Sequence, residues 1–159
     1  MRITVFGASG RTGRLLVGQA LAAGHRLAAV TRQPESFPFG HDRLEVIGAD
    51  VLDATAVDAA VAGRTLYADM RRMEAALRAS DLYWTVVRPG GLYHLAAPTG
   101  YTLVEGHADG RFTARADLAA CLLALLDGDR YLRATVGVVT TVDNPPLLRW
   151  LRREAMSGA

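Results

Sequence analysis

The stretch Gly7-Ala-Ser-Gly-Arg-Thr-Gly13 follows a short β-branched run, Arg2 to Phe6, and precedes an amphipathic stretch, Arg14 to Ala23. The run predicts a buried strand, and the spacing of apolar residues after the glycines predicts a helix. Three glycines at this spacing permit a tight turn, a close approach of phosphate to the backbone and close packing of helix on strand. The helix N-terminus offers N–H groups and a positive dipole end. The stretch therefore predicts a phosphate-binding turn, and the alternative is a tight turn without a ligand.

The rest of the chain alternates between strand and helix patterns. Further strands are predicted over Arg26–Thr31, Leu44–Gly48, Tyr83–Arg88 and Ala134–Thr140, and helices over Ala54–Ala62, Tyr67–Ala79 and Ala114–Asp127. Residues 92–110 are irregular, with one hairpin around Tyr101–Glu105. The alternation predicts a single α/β domain over residues 1–159, a Rossmann-type parallel sheet of about five strands with helices on both faces.

A basic helix is predicted at the C-terminus, over residues 144–159, with Asn144 as its N-cap. Packing on the sheet edge is the simplest role for this amphipathic segment. A dimer contact and contact with an anionic surface are the alternatives.

Residues in and after the glycine loop predict how a dinucleotide would bind. The pyrophosphate is predicted to lie against the loop residues Gly7, Ser9, Gly10, Arg11, Thr12 and Gly13. Arg32 ends the second strand pattern, where NAD-specific proteins carry an acidic residue for the ribose 2′-hydroxyl. A guanidinium there favours NADP(H) over NAD(H), and a solvated surface arginine is the alternative. Asp50 and Val51 are predicted to hold the adenine, with an ordinary turn or cap as an equal alternative for Asp50.

Composition excludes several classes of function. All 18 basic residues are arginine and the formal net charge is only +2, which gives no support for a nucleic-acid partner. The single cysteine, Cys121, lies in an apolar run and is expected in the core, which favours a reducing, cytoplasmic location. Apolar stretches are too short to span a membrane, so no membrane partner is expected. Histidine spacing predicts no metal site.

Four motifs together resemble the atypical short-chain dehydrogenase/reductase family: the glycine loop, Thr31-Arg32, Gly48–Leu52 and Thr85–Pro89. Within that family the chain is similar to the NAD(P)H-binding branch that includes biliverdin-IXβ reductase (flavin reductase), near its NmrA-like relatives. Further similarity lies in Arg72–Ser80, Leu82–Val87, Thr99–Leu103 and Phe112–Leu118.

The resemblance implies an NADPH-dependent reductase, a monomer or homodimer, that passes hydride to a small planar acceptor: a flavin, quinone or tetrapyrrole. It also implies that Pro89 and Gly90 line the nicotinamide side. A non-catalytic NADP-binding redox sensor, or a degenerate family member, is the alternative.

One departure from the family concerns the middle of the chain. Two strand–helix units of the family have no counterpart between Gly63 and Tyr67. Either the gene carries an internal deletion or the sequence omits a segment of a longer chain. If the deletion is real, the strand at Tyr83–Arg88 could lie beside the first strand, giving the order 3-2-1-6-7 in family numbering.

Catalytic residues are only weakly indicated. The usual Tyr-x-x-x-Lys pair of short-chain reductases cannot form because the chain has no lysine, although Tyr67 and Arg71 share that spacing. His94 and His107 lie in the segment that covers the substrate in the family, and either could donate a proton. Ordinary structural roles are the alternative for all of these side chains.

Overall fold

The structure, a computed structural model, describes residues 1–48, 66–148 and 150. The chain divides into two compact units, Met1–Val86 and Val87–Ala159. The predicted helix at 54–62, together with Asp50 and Val51, lies outside the described residues. The prediction of one domain stays a prediction.

The first unit is built on a three-stranded parallel sheet. Its elements are β1 (Arg2–Phe6), α1 (Arg11–Ala22), β2 (Arg26–Thr31), a 3-10 turn (Pro34–Ser36), β3 (Leu44–Gly48) and α2 (Leu66–Ala79). The strands lie in the order β1-β2-β3, with Val5 opposite Ala29 and Ala29 opposite Val46. α1 buries Val17 and Ala20 completely. The central strand, β2, buries five consecutive residues, 27–31, so the core of this unit lies around it.

The second unit contains shorter strands and one helix. Its elements are β4 (Thr85–Pro89), which crosses the boundary between the units, β5 (Gly91–Tyr93), β6 (Tyr101–Glu105), β7 (Phe112–Ala114), α3 (Arg115–Ala124), a 3-10 turn (Leu125–Asp127) and β8 (Ala134–Thr140). They form one sheet in the order β4-β8-β6 and a parallel pair, β5-β7. β6 runs antiparallel to β8.

A small apolar core joins α3 to β8. Leu118 and Cys121 of α3 pack with Val138 of β8, and Cys121 is fully buried. Burial raises the pKa of the Cys121 thiol to about 11. The prediction of a buried core cysteine is confirmed.

The predicted strand bounds match β1, β2, β3 and β8, whereas β4 begins two residues later than predicted and α1 three residues earlier. The strand Tyr101–Glu105 forms, but it pairs with β8 rather than within a local hairpin. The order 3-2-1 and the adjacency of β4 and β8 are confirmed. Within the units, β1 pairs with β2 and β4 pairs with β8. The hypothesis that β4 lies beside β1 concerns strands of different units and stays a prediction.

The last described residues pack on the second unit. The Trp150 ring packs at a tilt against the Phe112 ring, with their centroids 5.4 Å apart, and its indole N–H donates a hydrogen bond to the Leu92 carbonyl at 3.0 Å. The prediction of Asn144 as N-cap is wrong: its amide donates back to the Thr140 carbonyl at 2.8 Å, and the helical turn begins three residues later. Among the helices in the described ranges, none is long and apolar enough to cross a membrane.

Candidate functional site

The glycine loop forms the predicted tight turn between β1 and α1. Gly7 has φ +68°, in the left-handed region that favours glycine, and the Gly10 N–H donates to the Gly7 carbonyl at 3.0 Å. A Cβ on Gly13 would overlap the Gly7 carbonyl oxygen and would lie 2.9 Å from the Cα of Ala8. The first turn of α1 therefore packs directly against the loop backbone, which only glycine at position 13 permits.

The N-terminus of α1 suits an anion. Gly10 occupies the cap position in an extended conformation, and as a glycine it has no side chain that could cap the helix. The first turn of this helix has no acidic residue. Because the first N–H groups of a helix have no partners within the helix and carry its positive dipole end, this geometry favours a phosphate.

A side-chain hydrogen bond ties the glycine loop to the end of β2. The hydroxyls of Ser9 and Thr31 are 2.6 Å apart, and Thr31 is buried. The Arg14 Nε–H also donates to the Ser9 carbonyl at 2.8 Å. Arg32, the next residue after β2, is exposed. The structure thus links the loop directly to the residue that precedes Arg32. The sequence did not single out Thr31 or Arg14 for this role, although Thr31 belongs to the Thr31-Arg32 motif.

A second feature, the Pro89–Gly90 cavity, lies within the second unit. It measures about 310 Å³ and is lined by Arg88, Pro89, Gly90, Gly106, His107, Ala108, Gly110, Gly137 and Val139. His107 is therefore brought together with Pro89 and Gly90. His94 is exposed and is not a lining residue of this cavity.

The wall formed by Gly90 is held by a buried threonine. The Gly90 N–H donates to the Thr113 hydroxyl at 2.9 Å, and that hydroxyl donates to the Val138 carbonyl at 2.6 Å. A Cβ on Gly90 would lie 2.7 Å from the Arg111 carbonyl oxygen. Hydrogen bonding and close packing therefore fix the end of β4. The sequence did not identify Thr113, since nothing local distinguishes it from a solvent-exposed threonine.

A fully buried carboxylate anchors the loop before β6. Asp117 accepts hydrogen bonds from the Thr99 N–H at 2.6 Å, the Thr99 hydroxyl at 3.1 Å and the Thr140 hydroxyl at 2.6 Å. The Thr140 oxygen in turn accepts from the Ala114 N–H at 2.8 Å. Burial also raises the pKa of the Tyr93 phenol. The network joins β8 and α3 to residue 99. No sequence pattern indicated it beyond the resemblance at Phe112–Leu118.

The remaining predicted residues fall partly outside the described chain. α2 includes Tyr67, but its side chain lies outside the described part of the chain, as do Asp50 and Val51. Across the described ranges, no group of three or more histidine, cysteine, aspartate or glutamate side chains could hold a metal ion.

Comparisons with solved structures support the fold. The chain is similar to a Rossmann-fold NAD(P)-binding family protein from Shigella flexneri, with TM-score 0.74 and 18% identity over 92% of this chain and 98% of that one. A wide-type short-chain dehydrogenase/reductase from Veillonella parvula, solved in complex with NADP, gives TM-score 0.73 and 16% identity over 89% and 95%. An anaerobilin reductase from Escherichia coli O157:H7 gives TM-score 0.65 and 17% identity over 92% and 100%.

Sequence comparison gives a closer but shorter relative. An uncharacterized protein of Mycobacterium tuberculosis is 44% identical over 69 residues, which cover 43% of this chain. The matched segment spans only 8% of that relative's length.

Residues 7–66 and 64–129 both match the family described as NAD(P)H-binding. The two matched segments meet at residues 64–66, where the sequence predicted that family units are absent. Together they cover more than half of the chain, and they include the glycine loop, Pro89 and Gly90. This chain, with its Rossmann-like α/β fold, belongs to the NAD(P)H-binding family.

Proposed function

We propose that this chain binds NADP(H) in preference to NAD(H) and passes hydride to a small planar acceptor, a flavin, quinone or tetrapyrrole. Membership of the NAD(P)H-binding family supports the dinucleotide. The observation that carries the proposal is the 2.6 Å hydrogen bond between Ser9 and Thr31. Because it joins the phosphate turn to the end of β2, a nucleotide on the glycine loop would have its ribose near Arg32.

The preference for NADP rests on charge at this end of the sheet. In this proposal the exposed guanidinium of Arg32 pairs with the ribose 2′-phosphate, and Arg11 assists from the loop. Gly7, Ser9, Gly10, Thr12 and Gly13 hold the pyrophosphate, and Asp50 and Val51 hold the adenine. The Veillonella relative in complex with NADP supports the choice of cofactor.

The reductase part of the proposal assigns a positioning role to the end of β4. Bound NADPH supplies the hydride. Pro89 and Gly90 line the nicotinamide side, and Thr113 keeps that backbone in place through its hydrogen bond to the Gly90 N–H. The similarity in fold to an anaerobilin reductase supports reductase chemistry. The buried, lone Cys121 fits a cytoplasmic protein. The proposal takes the protein to be a monomer or homodimer, as the family resemblance implies.

Thermal melts with NADP⁺, NAD⁺ and no ligand test the cofactor, because only binding to the native state raises the midpoint. We expect a clearly larger shift with NADP⁺. Arg32→Ala should reduce NADP⁺ affinity about tenfold or more, the loss expected for a charge-assisted hydrogen bond, and should leave NAD⁺ binding unchanged. Arg130→Ala, at an exposed arginine of the second unit, is the matched control. Equal shifts with the two nucleotides would contradict the preference.

A non-catalytic NADP-binding sensor is the second candidate. The observation that favours it is the meeting of the two family matches at residues 64–66, with no strand–helix units between them. Oxidation of NADPH, followed at 340 nm with menadione or FMN as acceptor, separates the candidates. Binding of NADP⁺ without turnover supports the sensor, and turnover supports the reductase.

A further inference from the structure

We propose that the first unit binds a small anion of the phosphate class at the amino-terminal edge of its parallel sheet, through an arginine row formed by Arg2, Arg26 and Arg43. This inference goes beyond the proposed function, because parallel strands begin at one edge of a sheet and the glycine loop follows the opposite edge. The Cα atoms of Arg2 and Phe6 lie about 13 Å apart, since a strand rises about 3.3 Å per residue. The arginine row and the glycine loop are therefore separate places on the same unit.

The register of the sheet places the three arginines side by side. Arg2 of β1 is the direct partner of Arg26 in β2. The next residue of β2, Leu27, pairs with Leu44, and its N–H donates to the Arg43 carbonyl at 2.8 Å. All three arginines line one open depression in the surface, together with Leu27, Asp42, Leu44 and Glu45. Strand pairing, rather than a chance meeting of distant side chains, brings them together.

The two outer arginines of the row are held by other groups of the unit. The Arg2 Nη2–H donates to the Glu45 carboxylate at 3.3 Å. The Arg43 Nη2–H donates to the Leu21 carbonyl, near the end of α1, at 3.2 Å, and the Arg43 backbone N–H donates to the His41 imidazole at 3.0 Å. A guanidinium has five N–H donors, so both side chains keep donors for a ligand after these bonds are made.

Arg26, in the middle of the row, has no such contact. Across the ranges that the structure describes, its exposed guanidinium donates no hydrogen bond and forms no ion pair, with Asp42 or with any other carboxylate. Arg2 lies at the paired position, and like charges at opposite positions on neighbouring strands destabilise a sheet. Because Glu45 already pairs with Arg2, an anion from solvent would supply the acceptor that Arg26 lacks.

The charges of the depression favour phosphate over a single carboxylate as the ligand. Its lining holds three guanidinium groups and two carboxylates, which leaves positive charge in excess. The planar donors of a guanidinium match two oxygens of a phosphate group, which carries about 1.5 to 2 negative charges at pH 7. Because phosphate has more than two acceptor oxygens, it can accept from Arg26 and from an outer arginine at the same time.

Titration of the full chain with sodium phosphate at constant ionic strength, followed by ¹H–¹⁵N NMR, tests the site directly. We expect the backbone amides of Leu27, Leu44 and Glu45 to shift and to saturate with a Kd of about 1 mM or below, in line with two charge-assisted hydrogen bonds. Acetate should bind at least about tenfold more weakly, because it can engage fewer donors. Equal binding of acetate would show an adventitious ion only. Shifts confined to Gly10 and Thr12 would overturn the inference and leave the proposed function intact.

Arg26→Gln separates a binding role from a structural one. The Kd for phosphate should rise about tenfold or more, as expected for the loss of a charge-assisted hydrogen bond. Without phosphate the melting midpoint should not fall, because the substitution removes a positive charge from beside Arg2. Arg130→Gln, at an exposed arginine of the second unit, is the matched control and should keep the wild-type Kd. An unchanged Kd in Arg26→Gln, or an equal rise in the control, would overturn the role of the arginine row.

The same titration with glycerol 3-phosphate distinguishes the two sources of a phosphate group. Tighter binding of the ester than of inorganic phosphate would support a phosphorylated small molecule as the ligand, and tighter binding of inorganic phosphate would support the free ion. Tighter binding of a triglutamate peptide than of either would overturn the phosphate class, because the depression would then suit an acidic segment of a protein. All of these measurements can be made without NADP⁺, so their outcome does not depend on the proposed cofactor.

Discussion

The glycine loop and the Asp117 network are two ways of fixing a polar segment, and they differ in what holds them. Around Gly7 and Gly13 the shape is set by backbone contacts between residues at most six positions apart in the chain. Around Asp117 the shape depends on side-chain hydrogen bonds to residues 18 and 23 positions away. The conformation of the glycine loop can therefore be predicted from a local sequence pattern, whereas the Asp117 network can be recognised only in the folded structure.

The energetic consequences also differ. A glycine loop tolerates changes to its exposed side chains but cannot accept a Cβ where helix and turn meet. A buried carboxylate with three donors tolerates no loss of acceptor, because each donor left without a partner costs its full desolvation penalty. Substitutions in the two segments should therefore lower the free energy of unfolding by different amounts and be detected by different measurements.

The largest effect is expected from Gly13→Ala. The added Cβ would overlap the Gly7 carbonyl oxygen and press on Ala8, both of them backbone contacts that cannot rotate away. We expect a loss of about 3 kcal/mol in the free energy of unfolding, measured by urea denaturation, at the upper end of the usual cost of overpacking.

Gly18→Ala is the matched control for that substitution. Gly18 lies in the same helix, and its Cβ would meet only a Phe39 ring carbon at 3.9 Å. Because alanine favours helix over glycine by about 0.5–1 kcal/mol, this variant should be more stable than the wild type. Equal destabilisation by the two substitutions would show that close packing on the loop is not what requires glycine at position 13.

A smaller but still large effect is expected from Asp117→Asn. The amide nitrogen would replace one acceptor oxygen, so either the Thr99 N–H or the hydrogen of the Thr140 hydroxyl would lose its acceptor. We expect a loss of about 2 kcal/mol in the free energy of unfolding. Asp129→Asn, at an exposed aspartate of the same unit, should leave stability unchanged.

The rate at which Cys121 reacts with a thiol reagent gives a second measurement of the effect of Asp117→Asn. In the folded chain the thiol is buried and its pKa is raised to about 11, so it stays neutral and protected at pH 8. Reaction therefore requires opening of the second unit. Asp117→Asn should speed it about 30-fold, the ratio that corresponds to about 2 kcal/mol. An unchanged rate together with unchanged stability would mean that the carboxylate is not what holds the loop at residue 99.

The contrast explains how much the sequence could predict. β1, β2, β3 and β8 were found at their predicted bounds because each is a short apolar run limited by turn residues. β5 and β7 were missed, since three residues carry no periodicity that distinguishes a strand from a loop. The partner of β6 was missed because its pairing with β8, which joins residues about 35 positions apart in the chain, leaves no mark on the local sequence.

The residues of the candidate site also divide into those that the sequence predicted and those that it did not. The glycine positions of the loop follow from motif spacing, and the structure explains the need for Gly7 and Gly13 in steric terms. Thr31 and Thr113 were not identified, because a threonine that bridges two segments looks like any other threonine until its partners are known. Side chains that act across long sequence separations are what sequence patterns fail to show.

The smallest effect is expected at the long-range hydrogen bond between Ser9 of the glycine loop and Thr31. Each hydroxyl is partly buried and lies 2.6 Å from the other, so Ser9→Ala and Thr31→Val should each cost about 1 kcal/mol of unfolding free energy. Thr31→Val should cost slightly more, because its oxygen also accepts from the Gln33 N–H at 3.2 Å. The double variant should lose less than the sum of the single ones, which measures the coupling directly. If the losses of unfolding free energy were additive, the two hydroxyls would not be coupled, and the loop would be held by its backbone contacts. The glycine loop would then differ from the Asp117 network in depending on no long-range side-chain hydrogen bond at Ser9.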